Sequence, residues 1–407
     1  DLHPRVRRQR QMCIRDSNCI IIMETSIIGW WFTIEPYVYI GLTSECVLLY
    51  NTLDGEYIES NKVEIIQLLK KLLERNNQGV VYLTNEDIQN RIVESFVDEV
   101  REKYMGDIID IALSNEKPVQ ILPLFNFLDN EKLEVYKRHN FSVSRNLLEN
   151  LFEITIHVNN ETDICAFLNF LKSVPSKIIF NIYGKLNDVV NNERLLSFLD
   201  NSSSLKKVYC LYTEIPCSQT FFMNNFLYCV LVNFPIDIRL WEDVLITLRE
   251  QNLSYKYIFN VASLNDCQDA EQLIERFRIK EYQIKPIYDG TNMAFFKEYV
   301  FLSKKDILSM PISIKNIFAN QAINTYDFGK INIMSNGDVF ANMNFLPIGN
   351  IYKDSVYDIV CKELNEGESW FRVRDKEPCN RCVFQWLCPS PSDYEIAIGL
   401  TNLCHVM

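Results

Sequence analysis

Seven short runs rich in Val, Ile, Leu, Phe and Tyr recur between residues 118 and 288: PVQILPL, FEITIHV, KIIFNIY, KKVYCLY, FLYCVLV, YKYIFNVA and EYQIKPIY. Their starts lie 20 to 34 residues apart, the length of a strand-helix-strand unit. Between them, residues 162–172, 191–199, 239–250 and 266–277 each mix an apolar stripe with charges, the pattern of a surface helix. Strands covered on both faces read as continuous apolar runs, so the pattern predicts an α/β fold with a parallel sheet, open or curved into a barrel. Active sites in such folds gather at the carboxyl ends of the strands. Here those ends read NNETDICAF after FEITIHV and GKLNDVV after KIIFNIY, with no triad, no cluster of metal ligands and no glycine pair. His157 on a strand and His139 in a helix-like segment each stand alone and read as structural histidines.

The chain of 407 residues is long enough for two or three domains. With 48% apolar and 23% charged residues it has a globular composition. Its 12 glycines form neither G-x-G-x-x-G nor G-x-x-x-x-G-K-[ST], which argues against a phosphate-cradling loop. A formal charge of −12 opposes nucleic-acid binding, and no apolar stretch is long enough for membrane insertion. The expected location is cytoplasmic. Residues 1–22 read as a sequencing artefact, because Gln11–Ser17 (QMCIRDS) resembles a translated transposon adapter. The competing signal-peptide reading fails because the apolar run Cys19–Met23 is shorter than the roughly 7–15 residues such a segment needs. Starting at Met23 leaves 36 basic and 51 acidic residues, a charge of −15.

From Trp30 to Glu59 the chain reads as short strands, YVYIGL, CVLLYN and GEYIE, with NTLDG as the turn between the last two. Two helices are expected next. Residues 62–75 would place Val63, Ile66, Leu69 and Leu73 on one face, and residues 86–103 would place Ile88, Ile92, Phe96 and Val100 together, with Thr84 as cap and Asp87 three positions on. Three strands followed by helices suggest a winged-helix-like module, or equally a plain α+β subdomain. Further along, Asn336-Gly337 within INIMSNGDVFANM is a two-residue hairpin turn, and PIGNIYKDSVYDIV reads as a second turn and a short helix.

The cysteines fall into two classes. Cys46, Cys165, Cys210, Cys217, Cys229, Cys267 and Cys361 are scattered, most of them in apolar runs where a thiol acts as a small buried hydrophobe. Cys379, Cys382 and Cys388 instead occupy ten residues (CNRCVFQWLC), and Cys404 follows 16 positions later, which is ligand spacing. Four thiolates suit a tetrahedral zinc ion or an iron–sulfur cluster, both soft centres. A zinc ribbon usually pairs two C-x2-C knuckles, whereas here one pair is followed by a C-x5-C step and a distant cysteine. Arg372, Arg374, Lys376 and Arg381 crowd the same segment, either offsetting the charge of bound thiolates or forming a solvated loop face.

At these residues the chain resembles the SPASM domain, the auxiliary-cluster extension of peptide-maturing radical S-adenosylmethionine enzymes. The family pattern is C-x9-15-G-x4-C, then C-x2-C-x5-C-x3-C, then a final cysteine. Gly337 stands at the family glycine, and Cys379, Cys382, Cys388 and Cys404 match the four positions that in the family hold the second auxiliary cluster. The three others, which help to hold the first, are lost: residues 321–327 contain no cysteine, Asn342 fills the x4-C position and Ser392 the x3-C position. The family's catalytic C-x3-C-x2-C is represented by Cys165 alone, and its glycine-glycine-glutamate segment by Tyr183-Gly184-Lys185. The stretch VLLYNTLDGEYIE resembles the PqqD-like element that binds precursor leader peptides by adding a strand. Carried across, that resemblance assigns peptide contacts to Glu56, Tyr57, Ile58 and Glu59 and to the helix bearing Phe96 and Val100.

Module order and selective loss are similar to the pseudo-radical-SAM proteins of ribosomal peptide maturation. The resemblance implies a PqqD-like module over 23–110, a degenerate radical SAM-type partial (β/α) barrel over 111–325 and a SPASM-like iron–sulfur domain over 326–407. The implied function is an accessory protein that binds a precursor leader peptide, works with a maturation enzyme or exporter system and carries one 4Fe-4S cluster, without cleaving S-adenosylmethionine. Two alternatives stand beside it: a redox enzyme acting through the remaining cluster, and a zinc-stabilised structural or interaction protein.

Overall fold

The computed structural model describes residues 29–406 apart from 78, 115, 121, 124–145, 191, 217–222, 224 and 310. The expected artefact with Cys13 and Cys19, Met23, Cys217, His139 and parts of PVQILPL lie outside the described residues. In chain order the N-terminal part runs β1 (Gly29–Ile34), β2 (Val38–Leu42), β3 (Val47–Asn51), β4 (Tyr57–Ser60), α1 (Val63–Leu73), β5 (Val80–Thr84), α2 (Asn85–Gln89), α3 (Arg91–Glu102) and β6 (Gly106–Asp110).

These elements divide between two compact units, the first comprising the described residues up to 36 and from 62 to 122, and the second those from 37 to 61 and from 123 on. The first holds an antiparallel sheet in the order β5-β1-β6 and the helices α1 to α3. Thr84 caps α2 in a box with Asp87 as expected, but Asn90 then caps a separate α3, so one predicted helix is two. On α1 the buried residues are Ile65, Ile66, Leu68, Leu69 and Leu72, while Val63 is exposed; the apolar face is rotated from the expected one. Phe96 and Val100 are buried in this unit's core, Phe96 with its ring 6.3 Å from that of Phe32.

The three expected strands do form, as the antiparallel meander β2-β3-β4, but in the second unit rather than with the helices. The reason lies in β3, whose five residues are all buried. A strand covered on both faces needs a second layer, and Tyr39, Leu48 and Tyr50 find it in Ile307, Ile317, Val373, Phe384, Trp386 and Cys388. The NTLDG turn is closed by Asn51, whose side chain accepts from the Leu53 amide and donates to Asp54, with Gly55 at φ +82°.

The rest of the second unit alternates strand and helix: β7 (Glu153–His157), α4 (Ile164–Leu171), β8 (Ile179–Tyr183), α5 (Leu186–Val190), α6 (Glu193–Asp200), β9 (Lys206–Leu211), β10 (Leu227–Asn233), α7 (Ile238–Glu250), β11 (Ser254–Val261), α8 (Leu264–Phe277) and β12 (Tyr282–Pro286). Beyond it come α9 (Met293–Tyr299), α10 (Lys304–Leu308), α11 (Ile314–Ala322), the hairpin β13 (Lys330–Ile333) and β14 (Asp338–Phe340), β15 (Gly349–Asn350), α12 (Val356–Glu366) and α13 (Asp393–Ile398). Strands β7 to β12 pair in sequence order and in parallel, as six of the seven apolar runs predict. The seventh, PVQILPL, carries no strand in its described residues.

Beside β7 the sheet continues through β13 in parallel, then β14 and β15 antiparallel. The result is a mixed α/β fold around one large, mostly parallel sheet. One face, with Ile154, Ile182, Val230 and Phe259, packs into the helical layer around Phe167, Leu199 and Trp241. On the opposite pleat His157 stacks on Tyr183 at 5.3 Å and Tyr183 on Tyr209 at 4.2 Å. Burial lowers the His157 pKa, which favours the neutral ring of a structural histidine.

Candidate metal centre

Between α12 and α13 the chain has little regular structure, and its shape is set by short turns around the cysteines. Cys379 opens a single 3-10 turn over Cys379–Arg381. The Cys382 amide donates to the Cys379 carbonyl at 3.1 Å, and the Cys388 amide to the Phe384 carbonyl at 3.0 Å. These turns bring three sulfurs to one side while Val383, Phe384, Trp386 and Leu387 fill the core beneath the β2-β3-β4 meander. Cys404 comes from the C-terminal segment, which is tied to Leu302 by the bonds Leu302 N to Leu403 O and His405 N to Leu302 O, both 2.9 Å.

All four cysteines line a single cavity of about 20 Å³, together with Leu302, Ile307, Leu403 and Val406. All four are free thiols. Arg374, only 8% exposed, reaches the site from the side: Nη1 donates to Cys379 Sγ at 3.8 Å and Nη2 to Glu395 Oε1 at 2.9 Å. Its Nε donates to the Pro389 carbonyl at 2.6 Å, and its own carbonyl accepts from Gln385 Nε2. Asn402 Nδ2 donates to Cys404 Sγ at 3.5 Å. Burial pushes the thiols of Cys379 and Cys382 up and that of Cys388 up to about 12, with Arg374 pulling the other way. Among the described residues no group of three or more His, Cys, Asp or Glu side chains is spaced to hold a metal ion.

The donor chemistry nevertheless fits a soft metal group: four cysteines, an otherwise apolar wall and one buried guanidinium to balance thiolate charge. The cationic segment therefore splits by role. Arg374 serves the cysteines, Arg381 pairs with Glu377 at the surface at 2.6 Å, Lys376 is exposed, and Arg372 belongs to a second cluster.

That second cluster was not read from the sequence. Asn342 is 4% exposed and donates through Nδ2 to Asp327 Oδ2 at 3.1 Å and to Asp393 Oδ1 at 2.6 Å. Arg372 Nη2 lies 3.2 Å from Asp327 Oδ2 and 3.6 Å from Asp393 Oδ1, and Nη1 donates to the Ser392 carbonyl at 3.1 Å. Ser392 itself precedes α13, and its backbone N–H and hydroxyl both donate to Glu395. Asp327, Asn342 and Ser392 come from the three places where the sequence departs from the four-plus-three cysteine pattern. The structure joins them through Arg372 into one hydrogen-bonded network. Burial and the Asp393 carboxylate push the Asp327 pKa up, against Arg372 and the Asn342 amide.

Glu56 precedes β4, and Tyr57, Ile58 and Glu59 lie within it, at an end of the three-stranded sheet. Glu59 pairs with Lys304 of α10. Phe96 and Val100 face the core of the other unit. Cys165, on α4, is exposed and accepts from Arg194 Nη1 at 3.6 Å. Gly184 has a packing reason, since a Cβ there would lie 2.4 Å from the Val158 carbonyl oxygen.

No protein-family model matches the chain, and no curated protein matches it. Among solved structures it is similar to hexahistidine-tagged anSMEcpe with bound AdoMet, at 12% identity and a TM-score of 0.39 over 58% of this chain and 84% of that one. It is also similar to Streptococcus suis SuiB bound to S-adenosylmethionine, at 13% identity and a TM-score of 0.37 over 92% of this chain and 99% of that one.

Proposed function

We propose that Cys379, Cys382, Cys388 and Cys404 hold one four-iron four-sulfur cluster and that the chain is an accessory protein of peptide maturation. The observation that carries this reading is that thiols from two separate segments of chain surround one cavity with a buried arginine beside them. Bound there, a cluster would supply a one-electron store or a cross-link between the 379–388 turns and the C-terminal segment. The residues do the rest: Arg374 would balance thiolate charge, Glu395 and the Pro389 carbonyl fix that guanidinium, and Leu302 and Val406 add apolar wall. The presence of Cys165 without neighbouring cysteines supports a chain that does not cleave S-adenosylmethionine. Strand β4 at the end of its sheet supports leader binding at Glu56–Glu59.

One observation favours a second reading. Four cysteines around one cavity with an otherwise apolar wall are also the donor set of a single structural zinc ion. Iron, labile sulfide and zinc content after strictly anaerobic purification separate the two, read with the visible spectrum and with Cys388→Ser. About four irons and four sulfides per chain, lost in the variant, support the cluster. One zinc without sulfide transfers the site to the structural reading, and neither metal overturns both. Leader binding is tested separately, by titrating the full chain with candidate leader peptides and following the Glu56–Glu59 amides by hydrogen exchange.

A further inference from the structure

The large sheet ends at β12, and that end is unlike its interior. Among the described residues strand β12 pairs with β11 alone, in parallel. The Glu281 carbonyl accepts from the Tyr257 amide and the Ile287 amide donates to the Val261 carbonyl, so the odd-numbered residues turn their main chain towards β11. By the alternation of a parallel ladder, Tyr282 and Ile284 turn their N–H and C=O groups outward. Pro286 closes the row, since it has no N–H and its carbonyl already accepts from Tyr394 Oη at 2.6 Å.

The side chains tell the same story. Tyr282 and Ile284 sit beside Tyr257 and Phe259 on the apolar face. Tyr257 and Phe259 are 1% and 0% exposed, whereas Tyr282 and Ile284 are 46% and 37% exposed. The apolar face thus runs on past the helices that cover it. Around this edge Arg278, Lys280 and Lys285 are exposed, and among the described residues none of them has an ion pair; Glu281 is the acid between them. Arg276 is held by Glu242 at 3.3 Å. A basic edge on a chain of net charge −12 is a local reversal of sign.

We propose that the outer edge of β12 is a strand-addition site for an acidic, extended peptide segment with apolar side chains at alternate positions. Main-chain bonds at Tyr282 and Ile284 would fix its register, and its apolar residues would extend the face that Tyr282 and Ile284 leave uncovered. Its acidic residues would fall on the opposite face, that of Lys285, with Arg278 and Lys280 at the strand's entry. The proposal does not depend on the cysteine site.

The test uses the full chain and a fluorescein-labelled probe, acetyl-Glu-Val-Glu-Val-Glu-Ile-Glu-amide, followed by anisotropy at two salt concentrations. Its counterpart with lysine at every glutamate position serves as control. The acidic probe should bind, more weakly as salt rises, and the lysine probe should not. Ile284→Pro removes the outward N–H and the exposed Ile284 side chain while sparing the bonds to β11, which come from the odd residues, and should weaken binding about ten-fold or more. Lys280→Glu combined with Lys285→Glu should weaken it as well. If Ile284→Pro fails to fold, slowed amide exchange at Tyr282 and Ile284 on adding probe to the unaltered chain supports the site. Equal binding of both probes, unchanged binding by a folded Ile284→Pro, or no binding of the acidic probe overturns it.

Discussion

The cysteine cavity and the polar network around Asp327 lie in the same unit and share α13, yet they are held together in different ways. In the cavity, four thiols line one small space, and burial favours the neutral form of Cys379, Cys382 and Cys388. The network is largely satisfied by its own members: Asn342 bridges two carboxylates, and Arg372 pairs with Asp327 and reaches the Ser392 carbonyl. Among its donors, Arg372 Nε alone is buried without a partner. The network is held by its own hydrogen bonds and ion pairs, whereas the thiols make few polar contacts, Arg374 to Cys379 and Asn402 to Cys404 among them.

The strongest way to break this comparison is Asp327→Ala. Removing the acid leaves Arg372 and the Asn342 amide short of a buried partner, and Asp393, 62% exposed, compensates only in part. The expected cost is about 3 kcal/mol in urea unfolding, the same with and without metal. A cost below about 1 kcal/mol would class the pair with surface ion pairs. It would also remove the contrast with the cysteine cavity.

A smaller effect sharpens the contrast further. Since the Asp327 pKa is raised in the folded chain, the folded state binds more protons than the unfolded one just above the ordinary carboxylate value of 3.8. Stability from this group is therefore greatest at low pH and falls as pH rises through that window. Asp327→Asn removes the titration, so the stability of the unaltered chain relative to this variant should decline from pH 4 upward and then level off. Urea midpoints of both proteins between pH 4 and pH 7 check it. A relative stability that grows with pH would mean that Arg372 outweighs burial and Asp393.

How much of this was legible differs by element. The parallel strands were readable because each run carries its own hydrophobic signal, and the hairpin because Asn336-Gly337 is local; Gly337 sits at φ +89°. The closeness of the four cysteines around one cavity follows their spacing. The grouping of β2 to β4 was not, because continuous burial of VLLYN says that two layers cover it but not which ones. The face of α1 was misread by one position, since both Ile65 and Ile66 are apolar and the period cannot choose between them. The network was invisible for a similar reason. Asp327, Asn342, Arg372 and Asp393 come from four distant segments, and in sequence Arg372 is one cation among several.

The smallest expected effect is the one that joins the two regions. Glu395 accepts from the backbone N–H and hydroxyl of Ser392 with one oxygen and from Arg374 with the other, and Arg374 touches Cys379. Ser392→Ala deletes the hydroxyl bond and should cost about 1 kcal/mol. It also leaves Glu395 freer to move, so the guanidinium beside Cys379 loses part of its anchorage. Metal content should stay the same while metal release to a chelator becomes faster. Ser392→Cys loses the same bond and adds a thiol, and it should behave like the alanine variant. If it instead raised metal content, position 392 would belong to the cavity, and the two regions would be one site.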